Sequence, residues 1–157
     1  MTDFTALYRR YAPDVFRFAL YLSGEQSEAE DITAETFVRV WTSPERIEMV
    51  TVKGYLFTIA RNLFLQGLRK SARQVGLDRE PRDARATPEA LAEGKSELRA
   101  VLAEMRRLPE VDRAALLMRA LEGLPYEEIA RALGISLAAA KVKVHRARLA
   151  LAGLRDT

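Results

Sequence analysis

A run of basic side chains near the C-terminus has the composition of a surface that binds an anionic polymer. The basic residues of this run are Lys141, Lys143, His145, Arg146, Arg148 and Arg155. No acidic residue follows them before Asp156, and small apolar residues at a helical spacing would hold the segment against the protein. DNA phosphates favour such a face because neutralising them releases condensed counterions. A solvated basic face that offsets the negative end of the helix dipole is the simpler alternative.

A predicted bend before this segment favours DNA binding. In the stretch YEEIARALGIS, Gly134 can adopt a positive φ and Ser136 can cap the helix that follows. The preceding helix carries Glu127 and Glu128, so the positive charge is confined to the second helix. Two short helices at a fixed bend are the plan of a helix-turn-helix, whose second helix lies in the major groove of DNA.

The rest of the chain has helical periodicity and lacks strand-like alternation with hairpin turns. We therefore predict an all-α fold of two small helical domains joined by a flexible linker, the C-terminal domain being the helix-turn-helix. The segment 69–89 contains two prolines, alternating charges and few large apolar residues, which is typical of a tether. Helices are predicted near 4–22, 28–41, 55–69, 91–108, 109–121, 125–133 and 137–154. The predicted boundaries are 1–72, 73–90 and 91–157.

Composition limits the classes of function. The 157 residues are 48% hydrophobic and 30% charged, a balance typical of folded globular proteins. Cysteine is absent and His145 is the single histidine, which excludes disulfides, thiolate metal sites and multi-histidine metal sites. Because we find no glycine-rich phosphate loop, metal cluster or catalytic triad, we expect neither an enzyme nor a cofactor. No apolar run approaches the roughly 20 residues that span a bilayer, so we expect a cytoplasmic protein without membrane insertion.

The predicted second and third helices differ in charge. Residues 25–48 contain seven acidic residues and two arginines, whereas residues 53–73 contain five basic residues and no acidic one. Salt bridges within one domain would account for this pattern, although exposed pairs contribute little to stability. Two binding partners of opposite charge are the functional alternative.

Two stretches together resemble a known family. The stretch LPEVDRAALLMRALEGLPYEEIARALGIS, with VKVHRAR after it, resembles the promoter-binding region 4 of extracytoplasmic-function (ECF) bacterial sigma factors. EAEDITAETFVRVW followed by GYLFTIARNLFLQGLRK resembles region 2 of that family. Both occur in the family's order and cover nearly the whole chain apart from the linker. The resemblance implies an alternative sigma factor that directs core RNA polymerase to specific promoters and assists initiation.

The resemblance also implies three binding surfaces. The residues that match the site for the clamp coiled coil of the largest polymerase subunit are Asp31, Glu35, Phe37 and Arg39. At the −10 element, Arg61, Asn62 and Gln66 would surround an extruded base, and Lys53, Arg69 and Lys70 would contact phosphates. At the −35 element, Lys141, Val142, His145 and Arg146 would face the bases, and Lys143 and Arg148 the phosphates.

The chain departs from the family pattern at the start of the last helix, and three of its aromatic residues have expected places in the fold. The family often has Gly-Thr-Val-Lys-Ser where this chain has AAAKV, so Ala139 lacks a hydroxyl for phosphate and Val142 could contact a thymine methyl group. These changes bear on the target sequence more than on the activity. We expect Trp41 to close the small core, and Tyr55 and Phe57 to pack rather than stack on bases.

Two other functions fit the sequence. A stand-alone helix-turn-helix regulator would bind duplex DNA without polymerase and would use residues 1–70 for oligomerisation or sensing. A sigma-mimicking protein would titrate an anti-sigma factor and bind no DNA, for which the AAAKV stretch, without the family's hydroxyl groups, is the best support. An anti-sigma factor that occludes the binding surfaces is also an expected partner of a true sigma factor.

Overall fold

The structure, a computed structural model, describes residues 4–42, 51–74 and 96–153. Within these ranges all regular secondary structure is helical, which confirms the predicted fold class. The helices are α1 (Phe4–Ser23), α2 (Gln26–Thr42), α3 (Val52–Gln74), α4 (Ser96–Arg107), α5 (Glu110–Ala120), α6 (Tyr126–Leu133) and α7 (Leu137–Ala152). Helix α3 continues past the predicted domain boundary at 72. Most of the predicted linker lies outside the described residues.

The first three helices pack around a core of aromatic and aliphatic side chains. The Phe18 and Phe57 rings lie 4.9 Å apart at its centre, and both side chains are buried. Burial of such side chains contributes roughly 1.5–3 kcal/mol each. The hydroxyls of Thr33 and Thr36 are also buried, but each donates a hydrogen bond to the carbonyl four residues earlier. The core therefore contains these polar groups without leaving them unsatisfied.

The expectation for Trp41 was wrong. Its side chain is 66% exposed, and Phe37, which is 2% exposed, lies in the core instead. Trp41 occupies the last turn of α2, where the Phe4 ring, 4.8 Å away, covers one side of the indole. The expectation that Phe57 packs in the core is confirmed.

The last two helices form the predicted bend. Gly134 has φ +67°, a left-handed conformation that a side chain disfavours. The Ser136 hydroxyl accepts a hydrogen bond from the Ala139 amide at 3.0 Å and so caps α7. Fully buried Ala140 and Ala147 allow α7 to lie close to α5 and α6. These features confirm the local basis of the helix-turn-helix.

The two groups of helices also contact each other, which the sequence did not predict. Helix α1 packs against α4 and α5, and α3 packs against α6. One continuous core includes residues of both groups. Among the described residues, no helix is long and apolar enough to cross a bilayer.

Candidate nucleic-acid and polymerase interfaces

Helix α7 presents a basic outer face. Lys141, His145, Arg146 and Arg148 are exposed, and Lys143 is half-buried. Val142 is 55% exposed on the same face. The inner stripe of Ala140, Val144 and Ala147 is buried. A basic face of this kind can follow a phosphate backbone, and its centre can reach base edges.

A buried carboxylate that the sequence analysis missed lies beside this face. The Asp112 side chain in α5 is only 4% exposed, and its Oδ2 accepts a hydrogen bond from Arg146 Nε at 3.1 Å. Lys143 Nζ donates to Asp112 Oδ1 at 3.4 Å. The sequence signal that could have found it is an acidic residue just before the apolar run 114–118, because a buried carboxylate requires a partner. Two of the six −35 candidates are thus joined to one anion.

The polymerase candidates on α2 fall into two environments. Asp31 and Glu35 are exposed, and Arg39 Nε lies 3.7 Å from Glu35 Oε2 one turn away. Phe37 points into the core, where its ring centre lies 5.0 Å from that of Tyr8. Phe37 therefore shapes α2 from within and does not offer its ring to a partner in this conformation. Its neighbour Val38 is 50% exposed and adds apolar surface to the acidic face.

The −10 candidates on α3 also separate into two sets. Asn62, Gln66, Arg69 and Lys70 are exposed, and the last three line an open depression together with Arg73. Arg39 Nη2 lies 3.4 Å from Gln66 Oε1, which connects the α2 face to this depression. This set is open to a ligand.

Arg61 belongs to the second set, because its guanidinium is 11% exposed and paired across the molecule. Its Nε and Nη2 donate to the two carboxylate oxygens of Glu110 in α5 at 2.8 and 2.7 Å. A two-point guanidinium–carboxylate contact of this kind is among the stronger hydrogen-bonded arrangements. Arg61 therefore faces the C-terminal helices in this conformation.

Lys53 is held in a second cluster between the two groups of helices. The Glu122 side chain is fully buried, and its oxygens lie 3.2 Å from Arg17 Nη2 and 3.8 Å from Lys53 Nζ. Lys53 Nζ is also 3.7 Å from Asp14 Oδ2. Burial raises the pKa of Glu122, while the charge of Arg17 acts in the opposite direction.

A third contact fixes the start of α3. The Thr51 amide and hydroxyl both donate to Glu128 Oε1 in α6, at 3.0 and 2.8 Å. The same hydroxyl accepts a hydrogen bond from the Gly54 amide at 2.9 Å, as a helix cap does. Three carboxylates of the C-terminal group, Glu110, Glu122 and Glu128, thus contact α3 and the residue before it, on the side that bears Lys53 and Arg61. We call these contacts the inter-region interface.

The two groups of helices coincide with two known protein regions. The family model Sigma-70 region 2 matches residues 7–74, and the model Sigma-70, region 4 matches residues 98–151. The ECF RNA polymerase sigma factor SigM of Bacillus subtilis is 32% identical, over 94% of this chain and 92% of SigM. SigE of Mycolicibacterium smegmatis is 37% identical over 94% of this chain, which spans 60% of the length of SigE. The chain belongs to the ECF family of RNA polymerase sigma factors.

A solved structure of similar shape covers both regions. The sigma factor RpoE of Bartonella quintana, crystallised in complex with the anti-sigma factor NepR, matches 100% of this chain with a TM-score of 0.82 and 28% identity. The match covers 99% of the RpoE chain. The arrangement of regions 2 and 4 relative to each other is therefore similar in the two proteins.

Proposed function

We propose that the chain is an alternative sigma factor that directs core RNA polymerase to specific promoters and assists initiation. The observation that carries this proposal is the segregation of charge between helices: α2 has an exposed acidic face, and α7 has an exposed basic one. The chain would catalyse no reaction of its own and would act in the cytoplasm with the polymerase. Its domains would be 1–74, which ends with α3, and 91–157, with 75–90 as the connection in place of the predicted 73–90.

The polymerase would bind the acidic face of α2. Asp31 and Glu35 would meet basic residues of the clamp coiled coil, and complementary charge there would speed association and exclude wrong partners. Exposed Val38 and Trp41 would add apolar contact at the same face. Phe37 would support that face from the core rather than touch the partner.

Promoter DNA would bind two surfaces. The exposed polar residues of α3, Asn62 and Gln66, would meet an extruded base of the −10 element, with Arg69 and Lys70 on the backbone. Helix α7 would lie in the major groove at the −35 element. Because both surfaces belong to one chain held on one polymerase, binding of the first raises the effective concentration of the second.

Lys53 and Arg61 would reach DNA only after the inter-region interface opens. Both are paired with region 4 carboxylates. In an open chain, DNA phosphates would bind these two side chains instead. An anti-sigma factor is the partner expected to favour the closed arrangement. The RpoE structure supports this expectation, since it has a similar arrangement in a complex with NepR.

Runoff transcription with purified core polymerase and a library of promoter fragments tests the proposal. We expect a product only when the chain is added. The double variant Asp31→Asn/Glu35→Gln should bind polymerase more weakly, whereas Lys141→Ala/Arg146→Ala should bind polymerase normally and lose upstream recognition. Sequence-specific duplex binding without polymerase would favour a stand-alone regulator. Binding to an anti-sigma factor without transcription would favour a sigma-mimicking protein.

A further inference from the structure

Asp112 holds two basic residues of α7 with one buried carboxylate. Arg146 Nε and Nη2 lie 3.1 and 3.5 Å from its two oxygens, and Lys143 Nζ lies 3.4 Å from one of them. Asp112 in α5 lies 31 and 34 positions before Lys143 and Arg146 of α7, and the two helices pack together. The Asp112 side chain is 4% exposed, whereas that of Arg146 is 60% exposed. The carboxylate therefore holds one edge of the guanidinium and leaves the rest in water.

We propose that Asp112 is a positioning residue that sets both the direction and the effective charge of Arg146 for recognition of upstream promoter DNA. This inference rests on the proposed function of α7 and adds a residue outside that helix to it. Asp112 itself would not touch DNA, because it lies buried behind the basic face.

The direction of Arg146 depends on the freedom of its side chain. An exposed arginine has many rotamers, and binding must restrict them at a cost in free energy. The hydrogen bond from Nε to Asp112 restricts the guanidinium before DNA arrives. Val142, one helical turn earlier, is 55% exposed on the outer face. Asp112 thus fixes a donor beside an apolar group, a pair suited to guanine and to a thymine methyl group.

The charges of Lys143 and Arg146 affect non-specific binding. A lysine and an arginine on a free helix would each attract phosphates of any sequence. Asp112 neutralises part of that attraction, because one carboxylate faces both cations. The residue therefore lowers affinity for all DNA and leaves more of the binding dependent on the fit of Arg146. Specificity is a difference of affinities, so this combination raises it.

A structural tie between α5 and α7 is the competing explanation. It would make Asp112 matter for stability alone, in the same way as the buried contacts of Val144. The two explanations differ in the selectivity of DNA binding. A tie changes the melting temperature and leaves the preference among DNA sequences unchanged.

The test uses the full chain bound to core RNA polymerase and duplex fragments randomised in the upstream element. Enrichment of preferred over random fragments gives the selectivity, and titrations at several salt concentrations give the salt slope. Asp112→Asn should lower selectivity about fivefold or more, the low end for one good base contact. It should also steepen the log–log salt slope by about one, as one freed cation predicts. Glu104→Gln, which removes an acid paired with exposed Arg107 on α4, is the matched control and should change neither quantity.

Repeating the Asp112 change in an Arg146→Ala chain tests whether Asp112 acts through Arg146. In Arg146→Ala, the further change Asp112→Asn should not alter selectivity, since the group that it positions is gone. If Asp112→Asn unfolds, Asp112→Glu is the second variant, because it keeps the charge and displaces the carboxylate. It should lower selectivity and preserve the salt slope.

The outcomes separate this inference from the proposed function. If the wild-type holoenzyme selects an upstream element and Asp112→Asn selects it equally well, Asp112 has only a structural role and the inference is overturned. An equal loss in Glu104→Gln would overturn it as well, because the effect would then be one of net charge. If the wild-type holoenzyme selects no upstream element, the DNA-binding role of α7 fails, and the role of Asp112 fails with it.

Discussion

Arg61 of region 2 and Glu110 of region 4 form a two-point ion pair across the inter-region interface, with hydrogen bonds of 2.8 and 2.7 Å. The side chains are only 11% and 18% exposed, so separating them requires water or another anion to replace the contact. A DNA phosphate is such an anion. One guanidinium can thus serve either the closed chain or promoter DNA, and the two states exclude each other at this residue.

Removing the charge of Glu110 should open the chain. Glu110→Gln leaves Arg61 near-buried without an anion, and we expect a shift on the order of 2 kcal/mol toward the open form. The chain contains no cysteine, so fluorescent labels on Ala34→Cys in α2 and Ala100→Cys in α4 would report the distance between regions. That distance should increase in the variant.

The control for this experiment is Glu104→Gln, which makes the same chemical change within region 4 and away from the interface. The open variant should also bind single-stranded −10 oligonucleotides more tightly than the wild type. An unchanged label distance in Glu110→Gln would mean that the Arg61 pair does not hold the regions together.

The pH dependence of closure should follow Glu122. Its pKa is raised in the closed chain, chiefly by burial, and opening returns it toward the ordinary carboxylate value. The closed form therefore binds a proton more tightly, and lowering the pH through the raised pKa should favour closure. Arg17, Lys53 and Asp14 face the same carboxylate, and the two cations oppose the shift. The label distance should fall as the pH is lowered from neutral toward the ordinary carboxylate range.

Glu122→Gln provides the control for that titration. The variant cannot titrate at this position, so its label distance should depend less on pH than that of the wild type. A wild-type chain that opens as the pH falls would contradict the sign of the effect.

The left-handed conformation of Gly134 should make the bend sensitive to a side chain. A Cβ at this position meets no atom within 4 Å, so the cost of Gly134→Ala is torsional, roughly 1–2 kcal/mol. Thermal unfolding should show a lower melting temperature, and binding to upstream DNA should weaken because α7 shifts relative to α6. Gly153→Ala is the comparison: its φ is −59°, within the range that alanine prefers, and no such loss is expected. Equal losses at both positions would exclude the torsional explanation.

The acidic face of α2 should control polymerase binding through charge. Asp31→Asn and Glu35→Gln together should weaken binding to core polymerase by about tenfold, mainly through slower association. The wild-type affinity should fall with added salt more steeply than that of the variant. Gln26→Ala changes a polar residue of the same helix without changing its charge and should have little effect. Unchanged association kinetics in the double variant would show that the polymerase binds elsewhere.

Local features were predictable from sequence because they depend on neighbouring residues. The bend at Gly134, the cap at Ser136 and the buried Ala140 stripe follow from backbone preference and helical spacing. The environment of Trp41 was not predictable, since its burial depends on whether another helix reaches the end of α2. The packing of regions 2 and 4 against each other was also missed. Pairs such as Arg61–Glu110 join residues 49 positions apart, and no periodic pattern identifies them.

The candidate site could likewise be predicted where it depends on one helix and not where it depends on packing between helices. The exposed residues of α7 and the acids of α2 could be predicted because their helices have clear inner and outer faces. Asp112 could not be assigned to Arg146 without the packing of α5 on α7. Phe37 matched a family position but faces the core, since residues 32, 36 and 37 share the inner side of α2.

The most direct test of the proposed sigma-factor role, and of the need for the two regions to separate, is runoff transcription by a chain that can be locked closed. Thr51 and Glu128 touch across the interface, so Thr51→Cys/Glu128→Cys can be joined by a short, cleavable thiol cross-linker. We predict promoter-dependent product from core polymerase with the unlinked chain, loss of product after cross-linking, and recovery after cleavage. No product from the unlinked chain on any promoter of the library would contradict its role as a sigma factor. Equal product from linked and unlinked chains would contradict the requirement for opening.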